Sequence, residues 1–135
     1  MKKYLNAAIT YSLVALILGV FYREFTKFSG FEGTTQLSLL HVHYLSLGLF
    51  FFLFLAIIEK LLSFSSQKGS HGFVVAYHIG LNITGLGLLL RGISEVAIPE
   101  LSAAADASIS GVSGMGHVLL GVSLVALLFK FRKAA

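Results

Sequence analysis

Four stretches of this 135-residue chain carry no Asp, Glu, Lys or Arg: Leu5 to Tyr22, Leu37 to Ile58, Gly72 to Leu90 and Ile109 to Phe129. Each is roughly 20 residues long, and an α-helix rising about 1.5 Å per residue crosses a ~30 Å hydrocarbon core in that many. A transmembrane β-barrel would alternate apolar and polar positions over ~10-residue strands, and these runs do not alternate. The chain is 56% hydrophobic and 12% charged, about half the charged share of an ordinary soluble domain. The predicted fold is therefore all-α: an integral membrane four-helix bundle forming a single domain.

Lys2 and Lys3 ahead of the first run imitate a signal peptide. The run ends in Phe21-Tyr22-Arg23-Glu24 rather than a small-residue cleavage site, so it is expected to be a retained helix. Lys and Arg divide unevenly between the two ends of such a bundle. Lys2, Lys3, Lys60, Lys68, Lys130, Arg132 and Lys133 fall at one end, and Arg23, Lys27 and Arg91 at the other. Lys/Arg-rich loops stay cytoplasmic, which predicts both termini inside. Glu24, Glu32, Glu95, Glu100 and Asp106 share the outer end. The basic excess is thus topological and gives no reason to invoke nucleic acid. The longest connection, Arg91 to Ser108, is Ala/Ser-rich, with a short interfacial helix expected across Ala103 to Ser108.

No cysteine is present, which excludes disulfides, thiolate metal sites and covalently attached c-type haem. No Gly-rich phosphate loop occurs, and no carboxylate lies within a span to orient a triad or perform acid–base work. Attention therefore falls on histidine, because an ionisable side chain inside a bilayer is costly. His71 reads as a solvated loop residue. His41 and His43 lie about 6 and 9 Å into the second span from its outer end, and His117 lies ~12 Å into the fourth. His78 lies nearer the inner end of the third.

At 100° per residue, His41 and His43 point about 200° apart and cannot chelate one ion from a regular helix. They suit two sites on two faces. A neutral imidazole in an apolar, aromatic-lined slot suits haem iron, whose propionates need interfacial cations such as Arg23, Lys27 or Arg91. Ser110, Ser113, Gly114 and Gly121 surround His117 on its helix, and Ala76, Gly80 and Thr84 form a stripe beside His78. Small residues equally allow close helix approach. His78 with Asn82 suits interhelical hydrogen bonding as well as a ligand role.

The run His41-Val42-His43-Tyr44-Leu45-Ser46-Leu47-Gly48 resembles the His-x-His-Tyr segment of the tenth helix of haem–copper oxidase subunit I. There, two histidines ligate two haems on opposite faces of one helix. Subunit I is a pseudo-threefold ring of four-span units, and its ligating helix, like the second span here, enters from outside as the second of its quartet. The Ser and Gly of that family come one residue later, and no His-His pair or His-Pro-Glu-x-Tyr segment occurs here. The whole chain also resembles a family of small, functionally uncharacterised bacterial four-span membrane proteins, through Phe21-Tyr22-Arg23-Glu24-Phe25-Thr26-Lys27 and the His-x-His segment. These resemblances imply a multi-pass protein of the bacterial cytoplasmic membrane, forming a homotrimer with one third of an oxidase-like ring per subunit. Each pore would hold one haem b between His41 of one subunit and His43 of a neighbour.

The leading expectation is a bis-His, cytochrome-like haem b protein for electron transfer or redox or gas sensing, exchanging electrons with a redox partner or quinone. Its expected cofactor-binding residues are His41, His43, His117, Arg23, Arg91 and Tyr44, with His78 a weaker metal ligand. A stand-alone oxidase is not expected. The alternatives are a histidine-based proton or small-molecule transporter, a copper or zinc protein using His43 and His117 with water or Tyr44, and a structural subunit.

Overall fold

The computed structural model describes residues 1–98 and 100–135. Four helices are long and apolar enough to cross a membrane: α1 (Lys2–Phe28), α2 (Leu37–Leu62), α3 (Ser70–Ala97) and α4 (Ala103–Ala134). Each outruns its uncharged stretch, because Lys, Arg and Glu are good helix formers once past the apolar boundary. Ala103 to Ser108 is helical, but as the first turns of α4 rather than a separate interfacial helix. Ser102 sets that start: its side chain accepts from the Ala105 amide at 3.3 Å, and Asp106 lies in the positive first turn.

Both chain ends and residues 63–69 gather at one end of the bundle, here the terminal end; residues 29–36 and 100–102 lie at the far end. At the terminal end α2 stops at Ser63, in the left-handed region (φ 47°). Glu59 accepts from the Ser65 amide at 3.0 Å and from its hydroxyl. A 3-10 turn (Phe64–Ser66) follows, and Gly69 (φ +85°) opens α3. At the far end Thr35 donates to Gly92 O at 3.0 Å, and Glu95 accepts from the Gln36 amide at 2.7 Å. These contacts latch the start of α2 onto the end of α3.

Neighbours in sequence are neighbours in space, α1 on α2, α2 on α3, and most extensively α3 on α4. Small residues permit the α3–α4 approach: a Cβ on Gly80 would meet Leu120 N at 2.5 Å, and one on Gly116 would meet Thr84 N at 2.5 Å. Van der Waals packing of this kind drives helix association where lipid removes the hydrophobic term. Helices α2 and α4 meet near the terminal end, where Phe131 packs edge-on against Phe54 and Phe64. Outward faces are apolar. Ile9, Leu13, Ile17 and Val20 on α1 and Met115, Val118 and Val122 on α4 are each more than half exposed, a surface suited to lipid rather than water.

Within α2, residues Tyr44–Phe50 form a π-helical segment directly after His43. A wider turn weakens the regular ladder and frees carbonyls. Leu47 O is used this way, accepting from the buried Tyr77 hydroxyl at 2.8 Å. Tyr11 of α1 packs on Gly48 within the same segment, where a Cβ would come within 2.6 Å of it.

Candidate functional site

His41 and His43 both precede the π segment and lie in regular α-helix, so the 200° separation holds and they face different neighbours. His41 turns to α1, stacking on Tyr22 with ring centroids 6.3 Å apart and resting on Gly19. Its Nδ1 is buried and has no hydrogen-bond partner among the described residues. His43 turns to α4, where its ring centroid lies 6.2 Å from that of His117, the planes nearly perpendicular.

That pair shares a second feature. His43 Nδ1 lies 2.9 Å from Leu39 O, and His117 Nδ1 lies 2.8 Å from Ser113 O. A carbonyl can only accept, so each Nδ1 is the donor, and each neutral ring carries its free lone pair on Nε2. A backbone carbonyl on the remote nitrogen is the usual support of a metal-binding imidazole. Gly114 and Gly121, three and four residues from His117, have open space where their side chains would be.

Arg91 and His117 border one open cavity of about 560 Å³ at the far end, together with Gly87, Ser113 and Gly114. The guanidinium pairs with the Asp106 carboxylate and donates to Ser110 Oγ at 2.7 Å. Arg23 is largely exposed and lies 3.9 Å from the Glu24 carboxylate. Tyr44 does not join the His43–His117 pair: it is buried, its hydroxyl donates to Asn82 Oδ1 at 3.3 Å, and it fills the space left by Gly85.

His78 belongs to a separate cluster. Its ring stacks on Phe52 at 4.4 Å and on Tyr11 at 5.6 Å, and its Nδ1 lies 2.7 Å from the Tyr11 hydroxyl. Asn82 donates to Tyr11 Oη at 3.0 Å and to His78 O at 2.8 Å. His78 and Asn82, one turn apart on α3, are thereby bonded into α1 through Tyr11 and into α2 through Tyr44. Tyr11 was not singled out from the sequence. The available signal was a phenol in mid-span, since a buried tyrosine hydroxyl seeks a partner.

Among the described residues, no group of three or more His, Cys, Asp or Glu is arranged to hold a metal ion. A family model described as "Protein of unknown function (DUF2871)" matches residues 1–134. No curated protein and no solved structure matches.

Proposed function

Since the chain belongs to this family of unknown function, we propose a function from its own residues: it binds b-type haem in the membrane, with His43 and His117 as the iron ligands. The observation that carries this reading is the convergence of two imidazoles from separate helices, each with Nδ1 held by its own helix. Their ring centroids lie 6.2 Å apart, near enough for both imidazoles to reach one metal ion at bonds of ~2 Å.

Two ligands are too few for a closed zinc site, which takes four from the protein. Haem brings four nitrogens of its own and asks the protein for one or two more, so the pair of imidazoles fits it. Bound haem would supply one-electron chemistry, tuned by the residues that hold it. The chain's own residues do the rest. Leu39 O and Ser113 O orient the two rings, Gly114 and Gly121 leave room beside His117, and Arg91 offers a cation at the far end for a propionate. In this reading His41, stacked on Tyr22, supports α1 against α2 instead of ligating the same iron.

The test is an absorption spectrum of the purified protein, oxidised and then dithionite-reduced, with metal analysis on the same samples. A sharp Soret band and split visible bands are expected, lost in His43→Ala and in His117→Ala and kept in His41→Ala. Colourless protein from haem-supplemented cells would end this reading. Stoichiometric copper or zinc without haem would replace it with an ion at the same pair.

A further inference from the structure

Helix α3 supplies neither His43 nor His117, yet both helices that carry them rest on it. Gly85 and Gly87 are two residues apart in regular α-helix, so their bare positions face about 200° apart around α3. On one side, a Cβ at Gly85 would run into the Tyr44 hydroxyl and come within 2.7 Å of Tyr44 Cζ. On the other, a Cβ at Gly87 would stand 2.8 Å from both Cα and Cβ of Ser113. Each contact bears on one histidine. Tyr44 directly follows His43, and its buried ring, bonded to Asn82 through the hydroxyl, seats α2 on α3 at this level. Ser113 carries the carbonyl that accepts from His117 Nδ1 at 2.8 Å. Helices α2 and α4 pack on each other near the terminal end, where Phe54 and Phe64 meet Phe131. At the level of the histidines, their separation is set through α3.

We propose that Gly85 and Gly87 are positioning residues for the His43–His117 pair, keeping α3 thin enough for both imidazoles to reach one iron. What the pair holds rests on the haem reading; how the pair is spaced rests on the helix contacts alone. Non-bonded carbons settle at about 3.5–4.0 Å, so a methyl at position 87 makes α4 back away by roughly 1 Å. Tyr44 braces the nearly opposite side of α3, so that movement carries His117 away from His43. Metal–ligand distances hold to about 0.2 Å, and a stretch of this size leaves the iron with one imidazole.

The test compares Gly87→Ala with Gly48→Ala. The second methyl is as crowded, 2.6 Å from Tyr11 Cβ, but lies between α1 and α2 rather than between α3 and α4. Two readouts are taken on full-length protein in detergent. In the haem-loaded protein, Gly87→Ala should replace the split visible bands by a high-spin spectrum, and added imidazole should restore them by filling the vacated position. Gly48→Ala should keep the wild-type spectrum even where its melting temperature falls as far. In protein without haem, nitroxide labels on Val42→Cys and Val118→Cys, two exposed valines beside the histidines, report the helix separation by double electron–electron resonance. Gly87→Ala should lengthen the mean distance by about 1 Å, and Gly48→Ala should leave it unchanged. Gly85→Ala should lengthen it from the α2 side, and decides the matter if Gly87→Ala does not fold. An unchanged distance in the folded variant overturns the proposal, as does a wild-type spectrum in haem-loaded Gly87→Ala. Colourless wild-type protein ends the haem reading, while a lengthened distance still upholds the spacing role.

Discussion

At the residue scale, identical residue types do opposite work according to where the helices meet. Gly80 lies against the Leu120 backbone, whereas Gly114 has nothing within 4 Å of its missing side chain. Gly80→Val must push α3 from α4 and should cost about 1–3 kcal/mol. Gly114→Ala should leave stability within about 1 kcal/mol, on the favourable side because alanine is the better helix former. Thermal unfolding in one detergent, both variants beside the wild type, checks the contrast. The histidines divide similarly. That His41 and His43 serve different faces was legible from their spacing, because two residues of α-helix turn the chain by about 200°. That His43 and His117 face each other was one pairing among several the sequence allowed, since spacing within one helix carries no information about which face of another is brought near.

The same limit applies to elements. Each helix was legible as a charge-free run, yet all but the Leu37 end extend beyond it, where capping and flanking charge decide. Ser102 caps α4 alone at its side-chain oxygen, so Ser102→Ala should cost ~1 kcal/mol of local stability. The expected result is faster amide hydrogen exchange over Ala103 to Ser108, with the middle of α4 unchanged. Uniform exchange across α4 in both proteins would count against the cap. The π segment of α2 had no signature in the sequence. Within it the Leu47 carbonyl is claimed by Tyr77 of another helix. Tyr77→Phe removes that claim and should destabilise the bundle by about 0.6 kcal/mol, the usual value of a hydrogen bond between membrane helices.

For the whole molecule, the expected direction of insertion and the sharing of ligands each have a direct experiment. The chain has no cysteine, so single Ser29→Cys and Lys68→Cys variants can be labelled cleanly with a membrane-impermeant maleimide. Intact cells should label at position 29 and not at 68, and the reverse pattern would invert the Lys/Arg argument. Co-expressing His43→Ala and His117→Ala chains examines the ligand set. With both rings on one chain, mixed assemblies should recover no haem signal. Recovery would point to ligands shared between neighbouring chains.

The sequence by itself determined the class of solvent, the number of helices, their order and the opposed histidines, because length, charge and helical period are local quantities. Tertiary structure alone decided the partners: His43 with His117, His78 with Tyr11, Tyr44 with Asn82. Most faces of these helices are apolar, so hydrophobicity says little about which side turns inward. Close contact at Gly80, Gly85 and Gly116 and a few directional hydrogen bonds make that choice, and both depend on residues far apart in the chain.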